Sequence, residues 1–293
     1  MKRARRFVRL VGASLACVTF SVFAVGCADP SAVGRFASVA RTAGESFSAI
    51  ADDFPESCTR RERYRLLVGW QSDLDALEEE TARSCARYVK SAPRLVGAHR
   101  VLVRYLAALG EFSAGGLVSY DDSLDELAGA VERSDMLDEN DIEAVKRISA
   151  VLMDAAGGKW RRKQLNSVIE QTNPDVQILT STLRGIISVD YAQLLDDERE
   201  AARKFYLGKI RTHGDDEPLT ALLVYEKWQK EDEIIDGKRK AAEAYVKVLD
   251  KIAKGHQDLF DRRDALDSRD ARRLVLEHVN AIEELLIEVR SAF

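Results

Sequence analysis

The sequence predicts an all-α protein, an elongated antiparallel helical bundle with long C-terminal helices. Three observations carry that prediction. Apolar residues return every three or four positions through most of the chain, which is the spacing of one helix face. The five prolines fall where a helix begins or a loop runs, so none interrupts a periodic apolar segment. The one stretch rich in β-branched residues, 174–212, keeps helical spacing far beyond the usual strand length of about 5–6 residues.

Residues 33–51 form a first candidate helix with little apolar content, and Pro30 and Pro55 sit in connections. Pro93 opens a segment with Leu95, Leu102, Tyr105, Leu106 and Leu109 on one stripe. Ser119 with Asp122 starts a short helix carrying Leu124, Leu127 and Val131. Asp138 with Asp141 starts another, carrying Ile142, Val145, Ile148, Val151 and Leu152. Its pattern can be followed on through Leu165 and Ile169, with Gly157 and Gly158 as a kink.

Pro174 follows Asn173, a good N-cap, at a first helical position. Val176, Leu179, Leu183, Ile186, Ile187, Leu194 and Leu195 then continue one face. Pro218 repeats the signal after Asp215, Asp216 and Glu217, acids that suit the positive end of a helix dipole. A helix from 218 to about 254 is about 55 Å long. Its middle, residues 229–240, has eight charges in twelve positions and reads as a face in solvent or at a partner, with Gly237 as a point of bending. The last stretch is the cleanest, with Val275, Val279, Ile282, Leu286 and Val289 at four, three, four, three.

Composition sets the broad class. The 293 residues are 46% hydrophobic and 32% charged, which describes a folded chain rather than a disordered one. Forty-four basic residues face forty-nine acidic ones, a net charge of −5. No Lys or Arg patch outside the extreme N-terminus is free of nearby acids, so nucleic acid is not an expected partner.

The N-terminus carries an address. Lys2, Arg3, Arg5, Arg6 and Arg9 come with no acid, and residues 10–25 are a sixteen-residue uncharged run. That run is shorter than the roughly 20 residues of a permanent spanning helix. It ends in Ala24, Val25 and Gly26, followed by Cys27. Basic start, apolar run and small residues before a cysteine resemble a bacterial lipoprotein signal. The departure is Ala24, where Leu is commoner.

The resemblance implies cleavage before Cys27, acylation of that cysteine, and a body held on a membrane without crossing it. It divides the chain into a cleaved signal peptide (1–26), a lipidated tether (27–35) and a single helical bundle (36–293). In such lipoproteins of double-membraned bacteria, Asp directly after the lipidated Cys retains the protein in the inner membrane. Ala28 stands there, with Asp29 one later, so the resemblance implies the outer membrane and a body facing the periplasm. Two other readings are an uncleaved signal anchor with Cys27 as an ordinary thiol, and a twin-arginine export signal built on Arg5, Arg6 and Phe7. The leader takes five basic residues and no acid with it, which moves the net charge from −5 to −10.

Cys17 leaves with the leader and Cys27 takes lipid, so Cys58 and Cys85 remain. An oxidising periplasm favours a disulfide between them, contributing about 3.5 kcal/mol by loop entropy. Leu67, Trp70, Leu74, Leu77, Thr81, Cys85 and Tyr88 argue the other way, because their spacing reads as one continuous helix. An unbroken helix would separate the cysteines by about 40 Å, whereas a disulfide needs Cα atoms within about 7 Å. Gly69, and Ser72 with Asp75, supply stop and start signals midway between them. The disulfide is the favoured alternative.

No catalytic, metal or cofactor signature emerges. His99, His213, His256 and His278 follow Val96, Ile210, Ala253 and Val275 three residues earlier, not the Glu of a helical di-metal site. Each reads as a surface or seam histidine. The acid pairs Asp52–Asp53, Asp121–Asp122, Asp196–Asp197 and Asp215–Asp216 read as capping and dipole residues, since neighbours on a helix face different ways. Gly157, Gly158 and Lys159 lack the hydroxyl residue of a phosphate loop, as Trp160 follows. A tryptophan at helical spacing is more often core, as Trp70 reads; Trp160 beside Arg161, Arg162 and Lys163 is the one candidate for a contact with anionic lipid or wall polymer.

The expected function is a non-enzymatic envelope lipoprotein, tethered through Cys27 and acting as an interaction or scaffold module for an envelope protein or a second copy. Two alternatives stand beside it. One is a wall-polymer hydrolase using paired carboxylates. The other is a membrane-active or exclusion lipoprotein, disfavoured by the lack of a spanning apolar stretch after Cys27.

Overall fold

The structure, a computed structural model, describes residues 32–68, 74–114, 136–154, 165–266 and 268–291. Among them are eight α-helices: α1 (Ala32–Gly44), α2 (Phe47–Val68), α3 (Leu74–Ser113), α4 (Glu139–Asp154), α5 (Leu165–Gly185), α6 (Ala192–His213), α7 (Pro218–Asp261) and α8 (Arg269–Arg290). A π-helical turn, Ile186–Tyr191, joins α5 to α6, and a 3-10 turn, Arg263–Ala265, follows α7. The described residues contain no strand, so the fold is all-α as the sequence predicts.

The 44-residue α7, about 66 Å long, organises the bundle by packing against α5, α6 and α8. The hairpin of α2 and α3 joins it through α6, and α1 wedges between α3 and α8. Phe36, Phe47, Ile50 and Phe54 from α1 and α2 meet Tyr105 of α3 and Tyr245 of α7 in one fully buried core. Gly255 is required here, because a Cβ on it would overlap the ring of Phe36.

The last helix is as its sequence promised. Val275, Val279, Ile282, Leu286 and Val289 are all buried, and Ser268 caps the helix by accepting from the Ala271 amide at 3.2 Å. The start of α4 is also as expected. The Asp138 and Asp141 amides each donate to the other's carboxylate at 2.9 Å, a reciprocal capping box.

Cys58 of α2 and Cys85 of α3 are joined, with Cα atoms 5.8 Å apart and a sequence separation of 27. Helix α2 ends at Val68, α3 begins at Leu74 and the two pack on one another, so the continuous-helix alternative is corrected. Trp70 and Ser72 lie outside the described residues. Both cysteines are buried, and neither is expected to take a thiol-reactive mass tag in the denatured, unreduced protein. Both take it after reduction; tagging of the two before reduction contradicts the bridge.

Other expectations need correction. The helix expected over 33–51 is two helices broken at Glu45 and Ser46. Helix α1 begins at Ala32 and Val33 is buried, so the tether expected through residue 35 ends before the bundle's first turn. Pro55, expected in a connection, and Pro93 and Pro174, expected at helix starts, lie inside α2, α3 and α5. An interior proline forfeits one backbone hydrogen bond and costs about 3 kcal/mol. Here the buried stripes on both sides of each proline, such as Phe54 with Cys58 and Ile169 with Val176, keep the helix together. Pro218 does sit at the first turn of its helix. Helices α4 and α5 pack on one another, so the apolar pattern through Leu165 belongs to two helices. The predicted helix at 119–131, and Pro30, Gly157, Gly158 and Trp160, lie outside the described residues.

The π turn answers a spacing problem. Leu183, Ile187, Tyr191 and Leu195 are all fully buried, yet they recur every four residues. An α-helix advancing 3.6 residues per turn would rotate that stripe by about 120° over twelve residues. The wider i→i+5 turn absorbs the excess and keeps all four on one face.

Candidate functional site

The most unusual feature of the body is a set of acidic and basic side chains packed between α2, α6 and α7. Asp53 is 8% exposed and Glu198 1%. Each lies on an apolar stripe, Asp53 beside Ile50 and Phe54, and Glu198 between Leu194, Leu195 and Ala202, so helix packing carries them inward. Buried carboxylates need partners, and these have them. Ser57 Oγ donates to Glu198 Oε2 at 2.6 Å, and Arg60 Nε donates to Oε1 at 2.5 Å. Arg60 Nη2 reaches Asp53 Oδ1 at 3.0 Å. Tyr191, delivered by the π turn, donates to Asp53 Oδ2 at 2.7 Å, and Lys238 Nζ lies 2.6 Å from Oδ1.

Two acids and two cations balance to zero. Burial alone would pull the Arg60 guanidinium down, but the bonds and charges of Glu198 and Asp53 hold it above its ordinary value. Burial, reinforced by Asp53, pushes the Tyr191 phenol up, which keeps it a donor. The Asp52–Asp53 pair thus splits, since Asp52 is exposed. Asp196 and Asp197 serve other helices, pairing with Arg239 and, at 3.5 Å, with Arg61. Asp215 and Asp216 are exposed in the α6–α7 turn, and Asp121–Asp122 lies outside the described residues. The neighbouring cleft of about 480 Å³ is walled by Arg61, Arg65, Asp197, Glu200, Ala201 and Lys204, not by Asp53 or Glu198. With every carboxylate oxygen occupied, this arrangement holds three helices in register.

Two histidine–tyrosine pairs bridge α3 and α7 in opposite senses. His99 of α3 meets Tyr245 of α7, Nε2 to Oη at 2.5 Å, with the Phe47 ring stacked on the imidazole at 4.2 Å. Tyr105 of α3 meets His256 of α7 at 2.7 Å. Asn173 Nδ2 donates to Gln257 Oε1, so its Oδ1 accepts from His256 Nδ1–H at 2.9 Å. That tautomer leaves His256 Nε2 to accept from the Tyr105 hydroxyl. Burial lowers both imidazoles to a pKa of about 3 and raises both phenols. All four groups are neutral. His278 pairs with Asp258 at 2.7 Å, and His213 is exposed. Among the described residues, no group of three or more His, Cys, Asp or Glu converges as a metal site.

One side of the charged stretch 229–240 is an internal seam, which narrows the expected face in solvent or at a partner to Gln229, Lys230, Glu233, Ile234 and Lys240 on the exposed side. Arg199 binds Asp232 through two bonds of 2.6 and 2.8 Å, Arg239 binds Asp196, and Lys238 enters the buried network. Ile235 is 3% exposed. Earlier on α7, Leu219, Leu222, Leu223 and Tyr225 are exposed.

Cys27 lies outside the described residues, and among these no helix is long and apolar enough to cross a membrane. Sequence reasoning missed Glu198, Arg60 and Lys238 altogether. The available signal was a charged residue on an apolar stripe, Glu198 in phase with Leu194, Leu195 and Ala202. In comparisons with known proteins, the chain matches no family model, no curated protein and no solved structure.

Proposed function

We propose that the chain is a bacterial envelope lipoprotein, anchored through acylated Cys27, whose helical bundle is a non-enzymatic interaction or scaffold module facing the periplasm. The observation that carries the reading is the leader: five basic residues, a sixteen-residue uncharged run, then Ala24, Val25, Gly26 and Cys27. The Cys58–Cys85 bridge supports it, because such bonds persist in oxidising compartments and are rare in reducing ones. The absence of Asp directly after Cys27 favours the outer membrane over the inner.

Several acyl chains, at about 0.8 kcal/mol per buried methylene, exceed what stable anchoring needs. A body of charge −10, once the leader is gone, gains nothing from anionic headgroups and depends on that anchor. The wild-type chain should therefore fractionate with membranes and resist a salt wash. Cys27→Ser should release the body or leave the leader uncut. A Cys27→Ser chain that is cut and stays on membranes like wild type would rule the anchor out.

A further inference from the structure

Helix α1 begins at one end of the bundle. A Cβ on Gly110, near the end of α3, would lie 3.8 Å from the Gly34 carbonyl oxygen, and one on Gly44 would overlap Val103 of α3. Phe36 sits against Gly255, near the end of α7. Helix α1 therefore runs antiparallel to α3, and its first turn shares an end of the molecule with the close of α3 and the turn from α7 to α8. The opposite end is built by the two hairpins. Tyr64, near the end of α2, lies 3.5 Å from Tyr206 of α6, oxygen to oxygen, and the Tyr206 ring is 6.3 Å from that of Trp228 in the early part of α7. Pro218, where α7 starts, is about 55 Å along that helix from Gly255.

Chain length decides which end meets a membrane. Four residues, Ala28 to Ser31, separate Cys27 from Ala32, so the two Cα atoms can be at most about 18 Å apart. An acylated Cys27 thus keeps the start of α1 at the lipid surface. The α6–α7 turn could come down to the same surface only if the whole bundle lay on its side, and a body of charge −10 gains nothing from anionic headgroups by doing so. Charge does not choose the tethered end either. Around the α7–α8 turn, Arg262, Arg263 and Arg269 alternate with Asp261, Asp264 and Asp270, so the tether is what sets the orientation.

We infer that the mature protein stands on its membrane, turning the end made by the start of α1, the close of α3 and the α7–α8 turn toward the lipid surface and holding both hairpin ends out in the aqueous compartment. The exposed Leu219, Leu222 and Leu223 at the start of α7 are then out of reach of the bilayer that carries the anchor, and whatever the hairpin ends bind is met away from that bilayer. The inference deepens the scaffold reading and rests on its anchor.

The test uses the full acylated chain, purified from membranes and reconstituted into vesicles of phosphatidylethanolamine and phosphatidylglycerol with a headgroup-labelled acceptor lipid. An azide-bearing residue replaces Asp264 in one variant and Asp216 in another, both exposed, and each takes a donor dye. Energy transfer to the lipid should be at least twofold stronger from position 264 than from 216. A flexible Gly/Ser insertion of about 40 residues between Ser31 and Ala32, with a root-mean-square span of about 35 Å, should abolish the difference. Equal transfer from the two positions, stronger transfer from 216, or a difference that survives the insertion overturns the inference. Flotation of the vesicles, read first, separates the two claims. A chain that does not float with them ends the anchor reading and this inference with it, whereas a floating chain with equal transfer overturns the orientation and leaves the anchor standing.

Discussion

Replacing Glu198 with alanine is expected to lower the free energy of unfolding by about 4 kcal/mol, a large share of the 5–15 kcal/mol that holds a typical domain. Ser57 and Arg60 both donate to this carboxylate, and its removal strands the Ser57 hydroxyl at 0% exposure. Arg60 keeps Asp53 but loses the charge that outweighs its own desolvation. Glu198→Gln should cost less, since it keeps the volume and one acceptor while removing the charge. The informative variant is the pair Arg60→Met with Glu198→Met. Lys238 and Tyr191 still satisfy Asp53, so exchanging the ion pair for apolar volume should recover most of the single-mutant loss. Urea titration reads all three, with an unchanged slope as the check on two-state behaviour. A loss below about 1 kcal/mol for Glu198→Ala, the range of a surface ion pair, would show that the network is not the clasp described here.

Acid should destabilise the bundle well before carboxylate chemistry dominates. An unfolded histidine titrates near pH 6.5, whereas His99 and His256 in the fold do so near pH 3. Between those values the unfolded chain holds two protons that the native chain refuses. Stability is therefore complete above pH 6.5 and lost as the pH falls below it. The two together amount to about 4 kcal/mol between pH 8 and pH 5. Protonation also turns His256 Nε2 from an acceptor into a donor, so the Tyr105 hydroxyl has to give up its bond to that nitrogen and accept instead. His99→Gln and His256→Gln should each roughly halve the pH slope. Thermal unfolding followed at half-unit steps from pH 8 to pH 5 measures it, and a flat profile would contradict the assignment of neutral, buried rings.

How much of this was legible in the sequence depends on whether a feature is local. Val275 through Val289 repeat in phase within one helix, so α8 could be read directly. The Cys58–Cys85 bridge was legible once stop and start signals at residues 69–75 were weighed against a competing periodicity. The prolines misled, because Pro55, Pro93 and Pro174 lie inside helices. Their missing amide hydrogen bond is a local cost, while the buried faces that offset it are assembled from distant residues. Residues 229–240 misled on one side only, for the same reason. Counting charges cannot show that Asp232, Lys238 and Arg239 have partners in α6 and α2, 33 to 185 positions away. Glu198 was hidden by habit rather than distance, since an acid on the stripe of Leu194, Leu195 and Ala202 is itself a local signal.

The central claim concerns Cys27, and it has a direct measurement. The N-terminal peptide of the protein, isolated from membranes of cells producing the full chain, should by mass spectrometry begin at Cys27 and carry acyl groups on its sulfur and its amine. A peptide that begins at Met1, or a mature peptide with Cys27 as an unmodified thiol, would contradict the lipoprotein account.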